Sequence, residues 1–348
     1  MAATITMSAG ADVSAPPHPT EILRGFEVAP CAWPSAVFLR YDTSDICTGV
    51  YIGGRIVLTA AHCLPDRYDT DISCQTDAEC HPKQDIFGND LSLTCDASSN
   101  TCRGIDSLVV NDVPDVLFGE RYPGSDGHPR RTIPVQYCKQ RSLGETLALD
   151  FAYCVLSEAP AIQPVPIVMH CEVDQFLIEG TPVVAVGFGR EHLFNMPPPY
   201  GTKHYLTSEL ESDASSMFGM IQITEWSGAE PNAMTLKGDS GGPLFAQLPD
   251  GTWRVIGIAV NNQDFYEPVW KNVEWMFEDP NVANEQGQII PCHTPDGHWA
   301  PTAACGQFPL SPDLPAGDWT RGPFACNHEA SGLSATCGQP FRLGFRPF

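Results

Sequence analysis

Val50-Tyr51-Ile52-Gly53-Gly54-Arg55-Ile56-Val57-Leu58-Thr59 is a short run rich in β-branched residues and bounded by turn signals. Ala36 to Tyr41, Pro182 to Phe188 and Trp253 to Val260 have the same character. Amphipathic helical periodicity is scarce, so the pattern predicts an all-β sandwich or barrel. With 348 residues, 43% of them hydrophobic and spread along the length, the chain can build a sizeable core.

Fourteen cysteines, 30 glycines and 32 prolines describe a turn-rich chain stapled by disulfides. Disulfides persist in oxidising compartments, so a secreted or periplasmic location is expected. Zinc-type CxxC and CxxH spacings are absent, which argues against reduced cytosolic thiols. Nineteen basic against 42 acidic side chains give a formal charge of -23, which argues against nucleic acid or an anionic membrane as partner. No apolar run approaches the roughly 18 to 20 residues of a membrane span, so a soluble protein is expected. Met1 to Ala11 lacks the basic start and apolar stretch of a signal peptide; export would then require a signal already removed or an unusual route.

Residues 1–21, with Pro16-Pro17-His18-Pro19, read as an extended leader without a core of its own. Residues 66–104 turn polar around Cys74, Cys80, Cys95 and Cys102, which suits a small disulfide-held insertion. Residues 279–348 carry Cys292, Cys305, Cys326 and Cys337 amid prolines and glycines, with too few periodic apolar positions for an independent core. They read as an extension packed on a main domain of residues 22–278. Each cysteine group is close in sequence, and pairing within each group is expected.

Gly238-Asp239-Ser240-Gly241-Gly242-Pro243 sets a serine in a glycine-rich turn that exposes its hydroxyl and aims backbone N–H groups at one point. The N–H groups of Gly238 and Ser240 would hold the negative oxygen of a tetrahedral intermediate, worth roughly 3 to 4 kcal/mol per donor. A serine hydroxyl is a poor nucleophile until a base takes its proton. His62, in Leu58-Thr59-Ala60-Ala61-His62-Cys63, is the candidate base, and Cys47, 16 residues before Cys63, would clamp its loop to the neighbouring strand. The imidazole in turn needs a buried carboxylate to fix its tautomer. Asp150 meets that need at the head of the apolar run Phe151 to Leu156.

Thr-Ala-Ala-His-Cys, an aspartate before an apolar strand, and Gly-Asp-Ser-Gly-Gly-Pro, in this order, resemble the trypsin and chymotrypsin family. Ile22-Leu23-Arg24-Gly25 with Trp33-Pro34 looks like the family's mature amino terminus, Gly187-Phe188-Gly189 resembles its Gly-Trp-Gly, and Val273 to Met276 resembles the start of its terminal helix. The resemblance runs from about Ile22 to Phe277. It implies a chymotrypsin-like double β-barrel with a C-terminal helix, and a serine endopeptidase acting on protein or peptide substrates. His62, Asp150 and Ser240 would be its catalytic triad, working without any metal or organic cofactor. It also implies a zymogen, activated by cleavage between Glu21 and Ile22, whose freed amino group pairs with Asp239.

The pattern also fails in places. Leu236 replaces the cysteine four residues before Ser240, and Met234 stands where trypsin-like members carry the aspartate of the pocket floor. Val260 takes the place of the serine whose hydroxyl supports the triad aspartate, and only Gln263, Asp264 and Phe265 remain of a loop that is normally longer. Two preferences before the scissile bond stay open: basic, if Asp264 enters the pocket, or apolar, over Met234. Neither fits cleavage after Glu21, so a separate activating protease is implied. The competing reading is a binding protein that kept the scaffold and lost turnover: the complete triad argues against it, and Val260 and the short loop argue for it. A structural disulfide-rich secreted protein would leave the ordered motifs unexplained.

Overall fold

The computed structural model describes residues 22, 25–29, 31–41, 45–64, 69–80, 83–84, 90–91, 93–96, 101–104, 114–121, 131–141, 150–162, 164–189, 201–214, 219–224, 235–249, 251–260, 265–298 and 300–305. Met234 and Asp264, the two pocket residues proposed from sequence, lie outside them.

Among the described residues two seven-stranded sheets dominate. The first runs, edge to edge, Arg131–Ile133, Asp115–Phe118, Ala36–Tyr41, Asp45–Gly53, Ile56–Thr59, Ala152–Leu156 and Val135–Gln140, every pair antiparallel. The second runs Phe26–Glu27, His204–Glu209, Pro182–Gly187, Pro243–Gln247, Trp253–Ala259, Phe265–Pro268 and Ile221–Gln222, again antiparallel throughout. Both sheets curl, helices are few, and the architecture is the chymotrypsin-like double β-barrel that the sequence resemblance implies.

The apolar strands are apolar because they are buried on both faces. All four residues of Ile56–Thr59 and all seven of Trp253–Ala259 are buried. Their side chains join one continuous hydrophobic cluster that takes in both sheets. At about 25 cal/mol per Å² of apolar surface, this burial is the main favourable term of the fold. Trp33 stacks on Phe245 at 4.6 Å and meets Trp253 edge-on at 5.1 Å, which anchors the segment before the first sheet to the second.

Two small sheets lie apart. Asp69–Ser73, Thr101–Gly104 and Leu93–Asp96 form one, with the Cys74–Cys95 disulfide beside it, and Lys83–Gln84 pairs with Asp90–Leu91. Cys138 and Cys154 face each other across neighbouring strands and are bonded. No described cysteine is free.

After the last strand the chain forms the helix Val273–Phe277 and two single turns, Pro280–Ala283 and Gln286–Ile289. Asp279 starts the first of these turns: its side chain accepts the N–H of Asn281, and Pro280 supplies a preset φ. Val282, Ile289 and Ile290 enter the common core, Gln288 accepts the Gly54 N–H, and Glu285 pairs with Arg55. A disulfide joins Cys292 to Cys305. No described helix is long and apolar enough to cross a membrane.

Candidate active site

His62 sits in the single 3-10 turn Ala61–Cys63, immediately beyond the buried strand Ile56–Thr59. The turn begins at Ala60 in extended conformation and closes through Cys63 N–H to Ala60 O at 3.1 Å. The Cys47–Cys63 disulfide ties it to the strand Asp45–Gly53. The imidazole therefore stands exposed on a rigid base.

Asp150 enters from the other neighbour of that strand, just before Ala152–Leu156, and is 7% exposed. Its Oδ1 accepts the backbone N–H of His62 at 2.9 Å, and its Oδ2 lies 2.5 Å from His62 Nδ1. A carboxylate only accepts, so Nδ1 carries the proton and Nε2 keeps its lone pair. One acid thus sets both the position and the tautomer of the ring.

Ser240 comes from the second sheet, in the turn before Pro243–Gln247. Asp239 N–H to Leu236 O at 3.0 Å and Gly242 N–H to Asp239 O at 2.8 Å shape the turn. Its glycines are required by space and by conformation. Gly238 and Gly241 have φ of +104° and +78°. A Cβ on Gly241 would lie 2.2 Å from Thr59 Oγ1 and 2.8 Å from Ala60 N. Any side chain there would push the serine turn away from the histidine turn. In the actual arrangement Ser240 O accepts the N–H of Thr48 at 2.9 Å, and Cys63 Sγ lies 3.5 Å from the same oxygen.

Asp239 is 1% exposed and turns inward. Its Oδ1 accepts the N–H of Gly189 and its Oδ2 that of Leu236, each at 2.8 Å. Gly187 and Gly189 are glycines because the carboxylate occupies their side-chain space: a Cβ there would lie 2.0 and 2.5 Å from its atoms. Ile22 is fully buried, with φ of +34°.

Val260 is buried and its N–H bonds to Phe265 O at 3.2 Å; its isopropyl side chain carries no hydroxyl. Sequence reading missed Glu267, a 1% exposed acid that pairs across the ladder with Ile258 and therefore shares a face with Val260. Burial pushes its carboxyl up to about 7; the Asn272 amide and the charges of Lys271 and Arg141 oppose the rise, and Asp150 adds to it. The only hint in the sequence is an acid inside the otherwise apolar Phe265–Pro268 strand. Thr48, the polar residue next to Cys47, was missed as well.

Cys47, His62 and Cys63 are the described residues that come nearest to a metal-ligand cluster. Their two sulfurs are bonded to each other, which removes the thiolates a metal would need.

Residues 22–86 match the Trypsin family model. Kallikrein 1-related peptidase b22 of Mus musculus is 38% identical over 65 residues, 19% of this chain and 25% of that protein. Epidermal growth factor-binding protein type B of Mus musculus is 35% identical over 65 residues, with the same shares. The chain thus spans about a quarter of the length of the curated relatives it matches. Together with the double barrel, these similarities support the trypsin-like serine protease family.

Proposed function

We propose that this chain, trypsin-like at family level, is a serine endopeptidase working through Ser240, His62 and Asp150. The observation that carries the proposal is the double hold of Asp150 on His62, on the backbone at 2.9 Å and on the ring at 2.5 Å. That hold leaves Nε2 as a base on the side open to solvent.

In this reading the Ser240 hydroxyl attacks the scissile carbonyl while His62 Nε2 takes its proton. Asp150 stays ionised and stabilises the imidazolium. The carbonyl oxygen becomes an oxyanion held by the N–H groups of Gly238 and Ser240. His62 then returns the proton to the leaving amine, and water, deprotonated by the same imidazole, releases the acyl group from Ser240. All steps run on the chain's own residues.

We further infer that activity follows cleavage between Glu21 and Ile22 by a separate protease. The freed Ile22 amino group would reach Asp239, whose inward carboxylate and glycine cradle suit such a partner. The disulfides suit a secreted or periplasmic protein. Specificity falls to Met234, Asp264 and Val260. The binding-protein reading draws on Val260, which gives Asp150 no hydroxyl.

A cleavage profile on a diverse peptide library, with Ser240→Ala as the blank, tests the proposal. Cuts that vanish in the variant, and a preference for basic or apolar residues before them, are expected. A wild-type chain that neither cleaves nor reacts with a serine-directed phosphonylating probe overturns the peptidase reading in favour of a binding protein.

A further inference from the structure

Thr48 lies in the first sheet, fully buried, yet three of its four polar contacts reach the second half of the chain. Its hydroxyl donates to Gly238 O at 2.8 Å and accepts the N–H of Phe188 at 3.1 Å. Its own N–H donates to Ser240 O at 2.9 Å. Its carbonyl accepts the Thr59 hydroxyl at 3.0 Å, which holds the residue firmly in its own sheet. A hydroxyl has one hydrogen and can also accept, so the Gly238 and Phe188 contacts use it fully.

The Gly238–Asp239 peptide is the middle one of three. The peptide before it bears the Gly238 N–H, and the peptide after it bears the Ser240 N–H. Glycine at φ of +104° has no side chain to restrict its rotation; within the turn the N–H of this middle peptide bonds to Leu236 O at 3.0 Å, and its carbonyl takes a further constraint from outside the turn. Thr48 supplies that constraint at the carbonyl of Gly238, and a second one at the carbonyl of Ser240.

We propose that Thr48 is the positioning residue of the oxyanion hole, clamping the serine turn and the Gly187-Phe188-Gly189 segment to the first sheet. It touches no reacting atom; it acts through the two donor N–H groups. The role rests on the peptidase reading above, and it calls for a hydroxyl in particular. A valine keeps the shape and the backbone bonds but strands one buried carbonyl and one buried N–H.

The test compares Thr48→Val, Thr48→Ala and Thr48→Ser in the full chain after activation. A misplaced donor acts mainly in the transition state, so Thr48→Val and Thr48→Ala should lower kcat about 10- to 100-fold with KM changed less than about threefold. Thr48→Ser should stay within about threefold of the wild type in kcat. Binding of a peptide aldehyde, which forms a tetrahedral adduct, should weaken in step with kcat in the two hydroxyl-free variants, while binding of the cleaved peptide product should not. Amide hydrogen exchange at Phe188 should quicken in the same two variants and stay slow in the serine variant.

Unchanged kcat in Thr48→Val, or a serine variant as impaired as the valine one, overturns the role, because methyl packing would then be what matters. If Thr48→Val does not fold, Thr48→Ala against Thr48→Ser carries the same comparison. A wild type without turnover would overturn the peptidase reading and the catalytic role with it, while the exchange measurement still decides the clamp.

Discussion

The side-chain amide of Asn272 donates to the carboxyl of Glu267 at 3.1 Å, and both residues are buried. Asn272 is fixed from its other end, where Arg141 donates to its Oδ1 at 2.6 Å, and the N–H of Arg141 bonds to Phe151 O at 2.9 Å beside Asp150. A short polar chain thus runs from Glu267 to the backbone beside Asp150.

Glu267 should make the fold less stable as pH rises. Its folded pKa of about 7 lies above the ordinary 4.5, so between these values the unfolded chain releases the proton first. The loss begins near the lower value and is complete above the higher one. Its size is about 3 kcal/mol from about 1.4 kcal/mol per pKa unit. Glu267→Gln should match the wild type near the acid end and exceed it by up to that amount above neutrality. Denaturant midpoints measured across this pH range check it; parallel curves for the two proteins would refute it.

Ser240→Ala and His62→Ala should each reduce peptide turnover on the order of 10⁴-fold or more while the fold persists. The geometry at Asp150 adds that Asp150→Asn should also be crippled, because an amide NH₂ facing Nδ1 favours the wrong tautomer. Steady-state rates on a peptide cleaved by the wild type, with circular dichroism as the fold control, measure this. Undiminished turnover in purified Ser240→Ala or His62→Ala would remove the mechanism.

Activation should require a new amino terminus at Ile22. Amino-terminal sequencing of the active species should read Ile-Leu-Arg-Gly, and Asp239→Asn, which lacks the charge for an ammonium partner, should stay poorly active after the same cleavage. Full activity from a chain that still begins at Met1 would rule this activation out.

Asp279 should protect the fold against acid. Burial alone would raise its pKa, but bonds from Lys139, the Asn281 N–H and the phenols of Tyr137 and Tyr153 outweigh it and hold the carboxyl at about 2. The folded pKa lies below the ordinary 3.8, so this stabilisation is complete above 3.8 and fades as pH falls towards 2. At about 1.4 kcal/mol per unit it amounts to about 2 kcal/mol. Asp279→Asn should lower stability by about that much at neutral pH and flatten the acid limb of the stability curve. Acid titration followed by tryptophan fluorescence tests it, and an unchanged acid midpoint counts against it.

The sequence by itself determined whatever depends on neighbours along the chain. The β-branched runs marked the buried strands Ile56–Thr59 and Trp253–Ala259, because a strand covered on both faces tolerates little else. Gly238 to Pro243 was legible as a glycine-rich turn, and the segment bearing His62 as a loop clamped through Cys63 to Cys47, because glycine and a cysteine pair 16 residues apart are short-range features of the chain. Only the tertiary structure decided how these pieces meet. Thr48 and Gly238 are 190 residues apart, and His62 and Asp150 are 88 apart. Strand order brings each pair within hydrogen-bond reach, and no periodicity along the chain encodes that order. Little along the chain singled out Glu267: its register with Ile258 turned it inward, and burial, which raises its pKa, arises only when the barrel closes over it.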